Sequence, residues 1–216
     1  MNNLVNSSNN LDKTFLALKE YKDSLELDNA MSDYWVYNRA VPKETCDQII
    51  KYAEGQWEDA SVGGENVTQK NVRKEIRDSQ VAWSSCPNLF DMAWSYLNDA
   101  NEKALWKFQI DSAQPMQITK YEVGGFYEFH KDGNGFTRDV SDKNIITYNK
   151  TRKLSMTVVL NDDYEGGEFE FLGNGTIKEK MGTVIVFPSY MQHRVLPVTK
   201  GVRYSLVVWF CGEPFI

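Results

Sequence analysis

Three side chains suited to metal binding stand out in a chain of 216 residues that contains only two histidines. His130 and Asp132 are separated by one residue, so in an extended segment their side chains lie on the same side and can reach one metal ion. His193 follows 63 residues after His130. If a neighbouring strand brings it alongside, the three residues form a two-histidine, one-carboxylate face of the kind found in non-haem Fe(II) sites. The alternatives are a surface histidine beside an acid, and a His193 held in a loop by a backbone carbonyl.

A second candidate group lies on a strand predicted over residues 203–210. Positions 203, 205, 207 and 209 share one face of this strand, which carries Arg203 and Ser205, whereas the opposite face is apolar or aromatic throughout. A buried arginine needs a partner. A ligand carboxylate bound in bidentate fashion would provide one. The alternative is an internal ion pair with Glu168 or Glu170.

Helices and strands are predicted to position these groups in an α+β arrangement, with the helices first and the strands second. Apolar spacing predicts helices over 42–54 and 87–105, and a short amphipathic helix within residues 1–30. The polar, glycine-bearing segment 56–79, with Gly63-Gly64 at its centre, is interpreted as a mobile loop or hairpin tip. Short β-branched and aromatic runs then favour a sandwich or jelly roll, with strands over 117–122, 154–160, 168–171, 183–187 and 203–210.

Composition narrows the class of protein further. The formal net charge is −6, from 24 Lys+Arg against 30 Asp+Glu, which argues against a general nucleic-acid binder. No apolar run is long enough for a transmembrane helix, and residues 1–11 have neither the basic start nor the apolar run of a signal peptide. The three cysteines lie far apart without a CxxC pair, which favours a reduced, cytoplasmic protein over a disulfide framework or a zinc site.

Taken together, these motifs resemble those of the 2-oxoglutarate and Fe(II)-dependent dioxygenases, specifically the prolyl 4-hydroxylase-like branch. The resemblance covers roughly residues 117–212, and the segment 73–79 looks like the strand that follows a substrate-covering loop in these hydroxylases. The motifs that carry it are, in order, Tyr121-x5-Tyr127-x2-His130-x-Asp132, the run from Leu160 to Glu168 with its Gly166-Gly167 pair, the run from Gly182 to Ser189, His193-Arg194-Val195 and Arg203-Tyr204-Ser205.

The resemblance implies a fold and a domain division. The fold is a double-stranded β-helix, or jelly roll, supported by N-terminal helices. Residues 31–216 are then expected to form a single dioxygenase domain, with helical support over 31–116 and the jelly-roll core over 117–216. Residues 1–30 are expected to be an N-terminal extension, for which the sequence indicates no role.

The resemblance also assigns roles to individual residues. His130, Asp132 and His193 would bind the iron, and Arg203 would pair with the distal carboxylate of 2-oxoglutarate. Ser205 would support Arg203 at the same carboxylate. Two tyrosines match residues that line the cosubstrate or substrate pocket in relatives, although both could be ordinary β-strand aromatics; they are Tyr121 and Tyr127. The cofactors implied are Fe(II), 2-oxoglutarate as cosubstrate and O₂, with ascorbate as an optional reductant.

The activity implied is hydroxylation of an unactivated C–H bond, with release of succinate and CO₂. The favoured substrate is a prolyl residue in a protein or peptide, and the alternative substrate is a free amino acid or another small metabolite. Arg77 and Arg152 are candidates for substrate-side cations, and the loop that contains Trp57 and Gly63-Gly64 is the candidate lid. A hypothesis from a different class is a catalytically silent jelly-roll binding module.

Two departures from family patterns bear on the substrate. Arg203 stands where collagen-type prolyl hydroxylases of animals and plants usually have lysine, and in this it looks more like the bacterial and oxygen-sensing enzymes. Dioxygenases that repair alkylated nucleic acid carry a second arginine shortly after the first, whereas residues 204–216 contain none. Neither nucleic acid nor a membrane is therefore expected as a partner.

Overall fold

The computed structural model describes residues 33–62, 72–138, 147–177 and 180–216. The helix expected within residues 1–30 and the Gly63-Gly64 centre of the expected loop lie outside these ranges. The described part of the chain is mostly β-sheet, with few helices. The helices are α1 (Lys43–Ala53) and α2 (Pro87–Lys103). The strands are β1 (Trp35–Tyr37), β2 (Glu58–Asp59), β3 (Arg77–Asp78), β4 (Gln80–Ser84), β5 (Ser112–Ala113), β6 (Met116–Tyr121), β7 (Phe126–His130), β8 (Thr151–Val159), β9 (Glu165–Gly166), β10 (Phe169–Phe171), β11 (Gly175–Thr176), β12 (Val184–Pro188), β13 (His193–Val195), β14 (Val198–Lys200) and β15 (Arg203–Gly212).

Both helices begin at a proline and bury one apolar side. Pro42 is the N-cap of α1, and Pro87 occupies the first turn of α2, where a missing backbone N–H costs no hydrogen bond. The predictions of helices over 42–54 and 87–105 are confirmed. Neither helix is long and apolar enough to cross a membrane, and the described residues contain no other candidate span.

The strands form a large and a small antiparallel sheet, with a separate β9–β14 pair. In the large sheet the order is β1-β12-β8-β15-β6-β4-β2, and β5 also pairs with β15. In the small sheet the order is β11-β10-β13-β7-β3. Most strands that are neighbours in a sheet are distant from each other in the sequence. Each sheet is therefore assembled from segments that lie far apart along the chain.

The large sheet has one face toward the helices and the other toward the small sheet. On β8, Leu154, Met156 and Val158 are fully buried in a core that also contains side chains of both helices. The alternate residues Ser155 and Thr157 lie on the opposite face, as the period of two in a strand requires. A second core joins the two sheets through Val36, Tyr121, Phe169, Phe171, Ile185, Phe187, Val195 and Val198.

The order of helices first and strands second is wrong in one respect. Residues 33–116 contain the strands β1 to β5 beside the two helices, and β1 and β4 are members of the large sheet. The strands β7 and β13 were also absent from the predicted set, whereas the five predicted strands are present with ends shifted by a few residues. The three residues of β13 are too few for alternation to be read, and the five residues of β7 do not alternate between buried and exposed, so pairing partners define both strands.

Candidate active site

Strand pairing brings the three candidate metal ligands together. In the small sheet His193 of β13 is the direct register partner of His130 of β7, and Asp132 follows two residues after the end of β7. The Asp132 carboxylate oxygens lie 3.6 Å from His130 Nε2 and 3.7 Å from His193 Nε2. One ligand atom from each residue lies within 4.8 Å of the others. The arrangement is a two-histidine, one-carboxylate face around a single point.

Backbone carbonyls fix the orientation of both imidazoles. His130 Nδ1 lies 2.8 Å from the carbonyl oxygen of Glu128, and His193 Nδ1 lies 3.0 Å from that of Met191. A carbonyl oxygen only accepts, so each Nδ1 carries the proton and each neutral ring presents an Nε2 lone pair. This is the outer hydrogen bond that metal-bound histidines usually make. The expected alternative for His193, a hydrogen bond to a backbone carbonyl, therefore coexists with the metal-binding geometry.

Burial and charge set the protonation states of the site. Burial by itself would raise the pKa of Asp132, but His193, His130 and the Arg152 guanidinium outweigh it and hold that pKa well below its usual range. Burial lowers the pKa of His193 to about 4, although the Asp132 charge opposes this effect. Near neutral pH the carboxylate is therefore ionised and His193 is neutral, which are the forms that bind a divalent metal.

The turn after β7 is held against the end of β12. The backbone N–H groups of Asp132 and Gly133 both donate to the carbonyl oxygen of Ser189, each at 3.0 Å. The hydroxyl groups of Ser189 and Ser155 lie 2.9 Å apart, which ties this turn to the large sheet. Arg152 Nη1 donates to the Asp132 carbonyl oxygen at 3.2 Å. The carboxylate is thus positioned by both sheets.

The Arg203 side chain is buried next to two tyrosine rings and a glycine. It is 1% exposed, and its Cζ atom lies 5.6 Å from the ring centre of Tyr121 and 6.0 Å from that of Tyr164. A Cβ atom on Gly167, whose φ is +67°, would lie 3.0 Å from Arg203 Cδ, so glycine is needed for this approach. Glu170, one of the two expected ion-pair partners, pairs instead with Arg194 at 2.7 Å.

One cavity of about 460 Å³ between the sheets is lined by every residue that the sequence singled out for the site. These are Tyr121, Tyr127, His130, Asp132, His193, Arg203 and Ser205. Apolar side chains of both sheets complete the wall near the triad, among them Phe169, Phe187 and Val195. The cavity therefore combines a metal-binding face, a buried guanidinium and an apolar lining.

Aromatic rings pack directly on the two imidazoles. The ring of Tyr127 stacks on His130 with centres 3.5 Å apart, and Phe169 and Phe187 lie 5.2 and 4.7 Å from His193. Burial raises the pKa of Tyr127 to about 12, so its hydroxyl group stays protonated at neutral pH. The stacking holds the imidazoles in place and shields them from water.

Segment 56–79 meets the cavity only in part. Ser61, Val62 and residues 73, 76 and 77 line the cavity. Trp57, which was expected in the lid, packs instead against Tyr204 on the helix side of the large sheet. That expectation is wrong, because β2 pairs with β4 and turns the preceding residue away from the cavity. The mobility of the segment stays a prediction.

Several lining or supporting residues were missed or could not be placed from the sequence. Arg77 and Arg152 both line the cavity, which their sequence positions alone could not reveal. Tyr164 and Gly167 contact Arg203, and Ser189 supports Asp132, although all three belong to motifs of the resemblance. The usable signal was the Gly166-Gly167 pair, since two adjacent glycines suggest a backbone that something approaches closely.

A family model and several named proteins are similar to this chain. Residues 116–211 match the model described as the 2OG-Fe(II) oxygenase superfamily. A protein of Acanthamoeba polyphaga mimivirus that carries a prolyl 4-hydroxylase name is 24% identical over 212 residues, covering 92% of this chain and 82% of its own length. A PKHD-type hydroxylase of Aliarcobacter butzleri is 35% identical over 129 residues, covering 55% of this chain and 56% of that protein. The chain thus spans about half the length of the Aliarcobacter protein.

Solved structures share the fold at low sequence identity. A prolyl-4-hydroxylase from Pseudomonas putida superposes with a TM-score of 0.62 and 24% identity, over 89% of this chain and 98% of that one. A Trichoplax adhaerens prolyl hydroxylase, solved with a peptide fragment of the hypoxia inducible factor oxygen degradation domain, gives a TM-score of 0.58 and 15% identity, over 93% and 91% of the two chains. At these identities the likeness establishes a shared fold.

Proposed function

We propose that this chain, whose residues 116–211 match the model of the 2OG-Fe(II) oxygenase superfamily, is such an oxygenase and hydroxylates an unactivated C–H bond of a prolyl residue in a protein or peptide. The observation that carries this proposal is one cavity that contains both the His130, Asp132 and His193 face and the buried Arg203. A metal site or a buried arginine alone would serve many purposes. Their combination suits a metal-chelating keto acid whose far carboxylate needs a cation.

The residues present fit the cofactors of this family. Two imidazoles and one carboxylate are the ligands that non-haem Fe(II) prefers, and they leave other coordination positions open. In this proposal His130, Asp132 and His193 hold the iron, and Arg203 binds the distal carboxylate of 2-oxoglutarate with support from Ser205 and Tyr121. When bound there, Fe(II) would couple the oxidative decarboxylation of 2-oxoglutarate by O₂, which yields succinate and CO₂, to hydroxylation of the substrate, with ascorbate as an optional reductant.

The protein's own contribution is to position these groups and to exclude water. The Nδ1–H groups of His130 and His193 stay bound to their carbonyls, so both rings keep their Nε2 atoms directed at the metal position. Tyr127, Phe169 and Phe187 cover the imidazoles and keep water from the reacting centre. A dry, preorganised site favours the intended substrate over side reactions.

We also propose a specific fold, a domain division and a cellular compartment for this protein. The two sheets joined by the second core are proposed to be the double-stranded β-helix of this superfamily, within a single domain of residues 31–216 and after an extension of residues 1–30. Cys46, Cys86 and Cys211 are thiols in the structure, not disulfides. This supports a reducing compartment such as the cytoplasm.

The names of the relatives favour a prolyl substrate, whereas the size of the cavity also allows a second candidate substrate. The relatives named above include two prolyl hydroxylases of known structure, one of them bound to a peptide fragment. The second candidate is a free amino acid or another small metabolite, because a cavity of about 460 Å³ is large enough to enclose one. Mass spectrometry separates the two candidates by oxygen addition to prolyl peptides or to free amino acids.

Anaerobic absorbance spectroscopy tests the proposed cofactors before any substrate is known. Fe(II) and then 2-oxoglutarate are added to metal-free protein, and bidentate chelation by the keto acid is expected to give a weak visible charge-transfer band. We expect His130→Ala to lose iron binding and Arg203→Ala to weaken 2-oxoglutarate binding at least tenfold. Arg138→Ala is the matched control, because Arg138 is exposed, pairs with Glu213 and lies outside this cavity.

Two outcomes would contradict the proposal. Folded wild-type protein that binds neither iron nor 2-oxoglutarate would leave the silent binding module as the better hypothesis. A band of equal strength in the Arg203→Ala protein would show that another residue binds the cosubstrate carboxylate.

A further inference from the structure

The cavity has more positive than negative side chains around it. Its described lining has five cations, Arg73, Arg77, Lys131, Arg152 and Arg203, and the Asp132 carboxylate. The chain as a whole carries a net charge of −6. The excess of cations is therefore a local property of this cavity.

Two of the cations already have negative partners, one observed and one proposed. Arg73 pairs with the exposed carboxylate of Glu75 at 2.8 Å. Arg203 is assigned above to the distal carboxylate of 2-oxoglutarate. Lys131 lies at the exposed rim, where water can solvate it. The two other cations are Arg77 and Arg152, neither of which forms an ion pair with a carboxylate within the described residues, although the Arg152 charge acts on Asp132.

Arg77 is buried among neutral groups. It is 6% exposed, its Nε donates to the hydroxyl group of Ser79 at 2.8 Å, and its Cζ lies 4.7 Å from the ring centre of Tyr127. Within the described residues no carboxylate pairs with it. A buried guanidinium without an anion is costly, so a ligand anion in the cavity would stabilise it.

Arg152 makes its hydrogen bonds to neutral groups, although its charge also acts on the nearby Asp132 carboxylate. Its Nε donates to Gln114 Oε1 at 2.7 Å, its Nη1 donates to the Asp132 carbonyl oxygen, and its Cζ lies 4.0 Å from the ring centre of Trp209. These contacts hold the planar guanidinium in a fixed orientation at the cavity wall. Such preorganisation reduces the entropy lost when the group binds an anion.

Arg152 contacts one proposed iron ligand directly, and Arg77 is separated from another by a single ring. Arg77 packs on Tyr127, whose ring stacks on His130, and Arg152 binds the backbone of Asp132. Both guanidinium groups line the same cavity as the metal face. The planar fork of each group matches a carboxylate.

We propose that Arg77 and Arg152 bind a carboxylate of the substrate, next to the carbon that is hydroxylated. This inference rests on the proposed function of the cavity and names the chemical class of its substrate. The carboxylate belongs either to a free amino acid or to an acidic side chain beside the target residue of a peptide. Charge recognition of this kind selects an acid over its neutral amide.

Calorimetric titration with two acid–amide pairs tests the inference without turnover. The protein is loaded with Mn(II) and 2-oxoglutarate under anaerobic conditions. The probes are L-proline against L-prolinamide, and acetyl-Pro-Glu-amide against acetyl-Pro-Gln-amide. We expect the acid of one pair to bind at least tenfold more tightly than its amide, and the pair that discriminates identifies the source of the carboxylate. Equal affinities within both pairs would overturn the inference.

Charge-removing variants assign the effect to the two arginines. Arg77→Gln and Arg152→Gln are each expected to reduce the preference for the acid at least fivefold, whereas Arg77→Lys keeps part of it and Arg138→Gln keeps all of it. An unchanged preference in both cavity variants would also overturn the inference.

The iron and 2-oxoglutarate band separates this inference from the proposed function. The Arg77→Gln variant is expected to keep the band, since Arg77 contacts none of the proposed iron ligands, whereas Arg152 binds the backbone of Asp132 and is assessed only by its acid-to-amide preference. Loss of the band in a folded Arg77→Gln protein would place Arg77 in the cosubstrate site and overturn the inference. If wild-type protein gives no band, the proposed function fails, and the same titrations on metal-free protein still decide whether the arginines select a carboxylate.

Discussion

The two faces of the large sheet differ sharply although the same strands form them. Toward the helices, β8 and β15 present fully buried apolar side chains, namely Leu154, Met156, Val158, Leu206, Val208 and Phe210. Toward the cavity the same strands present Ser155, Thr157, Arg203 and Ser205, which are buried as well. These two sets of side chains are therefore about equally buried but differ in their chemistry.

Successive residues of one strand therefore serve different purposes: those on the helix face stabilise the fold, and those on the cavity face form the candidate site. Apolar burial and close packing on the helix face contribute to the free energy of folding. Polar groups on the cavity face are costly to bury unless a partner satisfies them. The cavity face is tolerable where its buried polar groups are hydrogen-bonded, as at Ser155.

The largest expected effect comes from weakening the helix face. Met156→Ala removes a side chain that is fully buried in the helix-side core, so we expect a loss of about 2–5 kcal/mol in the free energy of unfolding. Urea denaturation measures it. The neighbouring Thr157→Val is the matched cavity-face change, with an expected loss below about 1 kcal/mol. Equal losses for the two variants would contradict the separation of stability from function.

A smaller effect, on 2-oxoglutarate affinity, is expected from a substitution at Gly167, whose backbone lies close to Arg203. Gly167→Ala places a Cβ atom 2.9 Å from Val198 Cγ2 and 3.0 Å from Arg203 Cδ, so the guanidinium must shift. We expect 2-oxoglutarate to bind about tenfold more weakly, which is about 1.4 kcal/mol, with iron affinity unchanged. Gly173→Ala is the control, because Gly173 also has a positive φ but nothing lies within 4 Å of its added Cβ. A similar loss of affinity in both variants would implicate backbone strain instead of contact with Arg203.

The smallest expected effect concerns the pH dependence of the metal-free protein. The unfolded chain takes up a proton on His193 near pH 6.5, whereas burial lowers the folded pKa to about 4. The free energy of unfolding therefore falls as pH decreases through this window, by roughly 1 kcal/mol between pH 6.5 and 5.5. Urea denaturation at both values measures it. The His193→Gln protein is expected to lack this part of the slope, and identical slopes would contradict the prediction.

Local patterns predicted the long elements well and the short ones poorly. The helices α1 and α2 and the strands β8 and β15 are long enough for their apolar spacing to be read directly. By contrast β1, β4 and β13 complete the sheets through pairing with distant strands, a tertiary effect that overrides weak local preference. The position of Trp57 was missed for the same reason.

In the candidate site, too, local sequence patterns predicted some features and only the pairing of distant strands decided the others. The sequence by itself determined that His130 and Asp132 share a side, and that Arg203 and Ser205 share a face, because alternation in a strand is a local property. Only the tertiary structure decided that His193 pairs with His130 and that Tyr164 and Gly167 lie against Arg203. It also decided that Arg77 enters the cavity, since register between distant strands depends on the packing of both faces and not on the residues of either strand alone.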